Sequence, residues 1–187
     1  MQSLLTKLAS PASASLRAGV RRGLRSSAPV CAVPDTMKAV VVHETGPASV
    51  LTLESAWPAP TPKAGEVIVK NDFAGLNFID TYHRGGLYPR DLPFIGGQEG
   101  AGVVSAVTPE AAAAGIKEGD RVAYSVLGTY SEYVAVPAAK VLPVPDAVPL
   151  DVATSLVVQG MTAHYLTTSA HADLIKARNL NFEASKY

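Results

Sequence analysis

The stretch FIGGQEGAGVV (94–104) sets a polar pair, Gln98 and Glu99, among four glycines. Three chemistries compete for it. A dinucleotide cradle needs Gly-x-Gly-x-x-Gly between a strand and a helix, so that helix N-terminal amides meet a pyrophosphate. Gly100 and Gly102 supply the first two glycines, but Ser105 stands at the third position, and VVSAV that follows is patterned as a strand. No other window fits, and there is no P-loop. A metal site needs better donors than Gln98, a poor zinc ligand. The only cysteine, Cys31, is far upstream, and His43, His83, His164 and His171 show no ligand spacing. The remaining reading is a turn whose glycines let two backbones approach before a strand. It accounts for Gly96, Gly97, Gly100 and Gly102 and leaves Gln98 able to face a pocket.

The elements that must position this pair lie in the middle of a 187-residue chain, whose length fits one domain or one and a half. Hydrophobic residues at 48% are enough for a core, and charged residues at 17% argue against a disordered or nucleic-acid-coating chain. Charge is unevenly spread. Lys7, Arg17, Arg21, Arg22 and Arg25 face a single acid, Asp35, within residues 1–36, and the rest of the chain carries 11 basic and 15 acidic side chains. The first 36 residues are also rich in Ser and Ala, with Leu4, Leu5, Leu8, Leu16, Val20 and Leu24 spaced for one helical face. That composition predicts an organellar import peptide, mitochondrial or alternatively plastid, rather than a secretory signal or a membrane span. A disordered tail is the other reading. With Cys31 in this leader, the folded part has no disulfide, thiolate nucleophile or cysteine zinc site.

Beyond Met37 the pattern predicts short strands at MKAVVVHE (37–44), within 45–66, at EVIVKNDFAGLN (66–77, half-buried) and at AGVVSAVTP (101–109). Residues 78–100 read as loop and short helix. EAAAAGIKEGDRVAYSV reads as a loop followed by a strand, and 128–145 as two short strands with prolines at their joints. Closely spaced strands with Gly/Pro turns predict a partly open β-barrel. Near residue 149 the period becomes helical, with a turn at Pro149, an N-cap at Asp151 and a helix over 151–168.

The segments AGLNFIDTYHRGGLYP (74–89), IGGQEGAGVV, GIKEGDRVAY and VVQGMTAHYL together resemble the zinc-free quinone oxidoreductase, or ζ-crystallin-like, branch of the medium-chain dehydrogenase/reductase superfamily. The resemblance runs from Met37 to about Lys176. Zinc alcohol dehydrogenases of that superfamily carry Gly-His-Glu where this chain has Gly97-Gln98-Glu99, and a cysteine where LNFIDTYHRGG has none. The resemblance implies a mainly β, GroES-like, partly open barrel with short helices over 37–150. It is followed at 151–176 by the first helix leading to a Rossmann domain, then by a divergent tail at 177–187. It also implies metal-free hydride transfer from NADPH to a quinone or to the activated double bond of an enal or enone, small-molecule partners being the expectation.

By motif, Asn77 and Asp80 line the nicotinamide side, and Gln159 and Thr162 contact the nicotinamide amide or ribose. Tyr82 and Tyr88 flank cofactor and substrate, and Gln98 faces the substrate pocket. An ordinary tyrosine pKa of about 10 favours hydrogen-bond stabilisation over fast proton transfer at neutral pH. The residues themselves also admit structural roles: Asn77 capping a turn, Asp80 N-capping a helix, the tyrosines packing, and Gln159 and Thr162 on a helix surface.

The family's nucleotide-binding domain, on the order of 100–150 residues, does not follow in this sequence. The chain as written is therefore expected to bind NADPH poorly and to turn over little, leaving Leu156, Val157, Met161 and Leu166 partly exposed. The alternative expectation is a non-catalytic GroES-like fragment, or a binding module pairing with a full-length relative.

Overall fold

The computed structural model describes residues 32–170, so the leader through Cys31, His171 and the tail at 177–187 lie outside the described residues. Strands β1 (Thr36–Val42), β2 (Leu51–Pro58) and β4 (Phe94–Ile95) form a three-stranded antiparallel sheet in the order β2-β1-β4. Strands β3 (Glu66–Gly75), β5 (Glu99–Val107), β6 (Arg121–Ser125), β7 (Tyr133–Pro137) and β8 (Val141–Pro143) form a second, ordered β7-β3-β5-β6-β8. The sheets meet where Ala39 bridges to Ser131 and where Asn71 Nδ2 donates to the carbonyls of Thr129 and Ser131, 2.9 Å each. This mainly β half-barrel with few short helices is the expected fold class.

Over Val67–Val69 β3 is buried on both faces, not half-buried as its alternation predicts, whereas Lys70, Asp72, Phe73 and Ala74 further along it are exposed. Val67 and Val69 join Val104, Val122, Tyr124 and Val136 in one core cluster, while Ile68 on the opposite face joins Met37, Ala39, Val41 and Tyr133 in another. The cause is its central position: one face meets its own sheet's core and the other meets the three-stranded sheet. Burial raises the pKa of the Tyr124 hydroxyl, which stays neutral and donates to Asn71 Oδ1.

The glycines of the opening stretch do not form a cradle. Gly100 and Gly102 sit inside β5, paired with β3 on one side and with Tyr124 and Val122 of β6 on the other. At Gly102 the strands approach so closely that a Cβ would overlap the Lys70 carbonyl oxygen. Gly97 adopts φ +89°, the left-handed conformation that suits glycine at the turn into β5.

Four local expectations need correction. The stretch 78–100, read as loop and short helix, also holds the strand β4, which exists because Phe94 and Ile95 pair with Val42 and Val41 of β1. A one-turn helix, α2 (Pro109–Ala113), occupies part of the stretch read as loop, with Thr108 at its N-cap and Pro109 preorganising its first turn. β2 is longer than the short strand expected, at eight residues. The last helix starts one residue early: α3 (Leu150–Ser155) has Pro149 at its N-cap, so Asp151 lies in the first turn, beside the positive end of the helix dipole. The helix continues through a π-helical turn (Leu156–Gly160), α4 (Met161–Tyr165) and a second π-helical turn (Leu166–Ala170).

Candidate functional site

Helix α1 (Phe78–Arg84) begins where β3 ends, and its first residues build the polar part of the site. Asn77 is its N-cap. The Asn77 backbone N–H donates to Asp80 Oδ2 at 2.8 Å, and the Asp80 N–H donates back to the Asn77 carbonyl at 3.0 Å. This reciprocal cap fixes the Asp80 carboxylate at the helix start, where the dipole favours an anion. Tyr130, arriving from the segment between β6 and β7, donates its hydroxyl to the same Oδ2 at 2.6 Å. Burial, the hydrogen bond to Asp80 and the negative charges of Asp80 and Glu99 all raise the Tyr130 pKa. Tyr130 is therefore a neutral hydrogen-bond donor at physiological pH. The other Asp80 oxygen, Oδ1, is buried without a hydrogen-bond partner among the described residues.

These groups line a pocket of about 270 Å³. Its wall is largely apolar, with Val42, Leu51, Leu76, Phe78, Phe94, Ile95 and Leu127, and it also includes Asn77, Asp80, His83, Arg84, Arg90 and Tyr130. His83 Nδ1 is buried without a partner as well.

Next to the pocket, Glu99 is fully buried and accepts three hydrogen bonds. Asn77 Nδ2 donates to Oε1 at 2.8 Å, Gln159 Nε2 to Oε1 at 2.6 Å, and the Val158 N–H to Oε2 at 2.7 Å. Three donors converging on a carboxylate offset the cost of burying it. The arrangement ties the start of β5 to the α1 cap and to the first π-helical turn of the long helix. π-helical turns recur at functional sites, and this one presents the Val158 N–H to Glu99.

The structure brings Asn77 and Asp80 together in the pocket lining, and corrects their capping roles: Asn77, not Asp80, is the helix N-cap, because the helix starts at Phe78 and leaves Asp80 in its first turn. Gln159 joins them indirectly, its amide committed to Glu99. Tyr82 and Tyr88 are not among the pocket's lining residues. They pack edge-on against each other at 5.3 Å between centroids, with Phe78 against Tyr82 at 5.3 Å and Tyr88 47% exposed. Thr162 is exposed on α4. Gln98 is half-buried, its Oε1 without a partner among the described residues, and it does not line this pocket. Sequence reasoning missed Tyr130 and the role of Glu99. Tyr130 is 50 residues from Asp80 and carries no local signal. Glu99 had one, as an acid inside an otherwise small and apolar stretch.

Among the described residues no three His, Cys, Asp or Glu side chains cluster as a metal site. His43 lies 2.6 Å from Glu54 in an exposed pair. No helix among the described residues is long and apolar enough to cross a membrane.

Residues 63–146 match the alcohol dehydrogenase GroES-like domain family. A probable quinone oxidoreductase of Schizosaccharomyces pombe is 44% identical over 71% of this chain and 40% of its own length. A quinone oxidoreductase of Pseudomonas aeruginosa is 44% identical over 65% of this chain and 37% of its own length. Among solved structures, a mycobacterial protein complexed with NADPH superposes with a TM-score of 0.68 at 45% identity, covering 73% of this chain and 42% of that one. An Escherichia coli quinone oxidoreductase complexed with NADPH gives 0.65 at 37% identity, covering 71% and 41%. The chain thus spans about 40% of the length of the relatives it matches. By the β half-barrel, the match over residues 63–146 and these relatives, this chain carries an alcohol dehydrogenase GroES-like domain similar to that of quinone oxidoreductases of the medium-chain dehydrogenase/reductase superfamily.

Proposed function

We propose that this domain forms the substrate-side wall of a metal-free, NADPH-dependent reductase of quinones or enones. One observation carries the reading: Asp80 lines a mostly apolar pocket with one oxygen held by Tyr130 and the Asn77 backbone and the other buried without a donor among the described residues. A carboxamide or ribose hydroxyl supplies such a donor, and the apolar wall suits a planar quinone or enone. The residues therefore fit the nicotinamide end of the cofactor. They offer nothing comparable to a pyrophosphate, since the glycines of β5 lie within a β-ladder. When bound, NADPH supplies the hydride. Asn77 and Asp80 orient the bound ring, Tyr130 holds the Asp80 carboxylate in place, and the apolar side chains exclude water. The donor set favours a metal-free site, because Gln98 brings a neutral amide, a poor zinc ligand, and the Glu99 carboxylate beside it is taken by three hydrogen-bond donors. The basic, acid-poor residues 1–36 support a mitochondrial location, with the plastid as the alternative.

Reduced nicotinamide mononucleotide tests this reading without the rest of the dinucleotide. It is expected to bind the chain weakly and to lose roughly tenfold in affinity in Asp80→Asn, in line with the loss of a charge-assisted hydrogen bond. NADPH-dependent benzoquinone reduction by the chain alone is expected to be slow. Absence of both nicotinamide binding and quinone reduction would overturn the proposal. A second reading, a non-catalytic module pairing with a full-length relative, is favoured by the apolar face of the long helix, where Leu156 is 56% and Met161 55% exposed. Co-purification of a stoichiometric complex with such a relative would support it.

A further inference from the structure

Arg84 and Arg90 both line the apolar pocket, and neither forms an ion pair among the described residues. Arg84, in the last turn of α1, donates from Nε to the Gly46 carbonyl at 3.2 Å, which anchors its guanidinium and leaves its Nη groups uncommitted. Arg90 lies over the Phe94 ring, its Cζ 5.6 Å from the centroid. The single acid in the lining, Asp80, already holds Tyr130 and the Asn77 N–H on one oxygen. The lining thus carries two guanidiniums against one carboxylate, and the Glu99 carboxylate beside it is already taken by Asn77, Gln159 and the Val158 N–H. Planar guanidinium groups match carboxylates in a two-pronged geometry. An arginine stacked on an aromatic ring also loses less rotamer freedom when it engages an anion.

We propose that this pocket selects apolar substrates that carry a carboxylate, the anion being held by Arg90 with Arg84 and the apolar body lying against Phe94, Leu51 and Leu127. For catalysis this rests on the reductase reading: the substrate becomes a quinone or enone with an acidic side chain. The anion selectivity itself does not depend on turnover.

The test measures binding to the 187-residue chain by chemical-shift titration, with naphthaleneacetate as a planar apolar carboxylate and naphthaleneacetamide as its neutral counterpart. The acid is expected to bind about tenfold tighter than the amide, as a charge-assisted hydrogen-bonded pair requires. Arg90→Gln is expected to bring the acid down towards the amide, with Arg90→Lys retaining part of the preference and thermal melts showing that both variants fold. Equal binding of acid and amide by the unaltered chain would overturn the carboxylate selectivity while leaving the pocket a substrate site. Binding of neither would overturn both this inference and the pocket's role as a substrate site. Displacement of naphthaleneacetate by equimolar inorganic phosphate would assign the arginines to a phosphate group and overturn the carboxylate assignment.

Discussion

The valines of the five-stranded sheet and the apolar side chains of the long helix meet opposite fates. Val67, Val69, Val104, Val122 and Val136 are all but fully buried. On the helix, Ala153 and Val157 are buried against Ala101 and Ala123, yet Leu156, Met161, Tyr165 and Leu166 are 42–60% exposed. Val157 thus departs from the expectation that grouped it with the exposed side chains. It falls on the turn that faces the alanines of β5 and β6, whose small side chains let the helix approach. After Gly160 every described helix residue is exposed. Hydrophobic periodicity records a capacity for burial, and the partner surface decides where that capacity is used. The boundary between the two regimes coincides with the π-helical turn at Leu156–Gly160, where Glu99 takes the Val158 N–H and the Gln159 amide.

The largest expected effect lies in the sheet. Gly102→Ala would drive a Cβ into the Lys70 carbonyl oxygen. Ordinary overpacking costs about 1–3 kcal/mol because side chains give way; here backbone meets backbone, and the cost should exceed that range. Loss of a cooperative thermal transition by circular dichroism is expected. A variant that melts like the parent would show that the close β3–β5 approach is not what holds the domain.

Glu99→Gln is the next test. It keeps the size of the side chain but replaces an acceptor oxygen with a donor amide, so at least one of Asn77, Val158 and Gln159 then faces a donor. A buried group left unsatisfied costs about 1–3 kcal/mol. Amide hydrogen exchange should show protection falling first at Val158 and along the helix beyond it, while β3 and β5 keep theirs. An equal loss across sheet and helix would break the comparison, because Glu99 would then be a general core group rather than the tether between them.

The division between legible and hidden features follows the same boundary. Strand content was readable because valine-rich runs between Gly/Pro turns have few alternatives, and a cap near residues 77–80 was readable from the residue types, although the N-cap is Asn77 rather than Asp80. The two-sided burial at Val67–Val69 of β3 was hidden, since alternation over Val67 and Val69 reports one face and the second is supplied by β1, far away in sequence. The Glu99 hub was hidden for the same reason: its donors come from positions 22, 59 and 60 residues away. The roles assigned to Tyr82 and Tyr88 rested on a motif resemblance, and motif identity does not say which way a helical side chain points. Tyr82 of α1 packs edge-on against Tyr88, which follows the helix, while Asp80 and Arg84 of α1 line the pocket.

The smallest expected effect is at the far end of the helix, and it is the most discriminating. Met161→Glu with Leu166→Glu changes two side chains that are 55% and 42% exposed, beyond the last buried residue of the helix. Surface substitutions of this kind usually stay within about 0.5 kcal/mol, so the denaturation midpoint of the double variant should hardly move. The same change at Val157, one turn earlier, would set a carboxylate against Ala101 and Ala123 and should unfold the helix from the sheet. If the double variant instead loses about 2 kcal/mol or more, far outside the surface range, its apolar face is covered in solution. Sedimentation velocity would then identify the cover: a mass that halves in the variant means a second copy of this chain had been seated on Met161 and Leu166, and the exposed half of the helix would be an interface rather than a free surface.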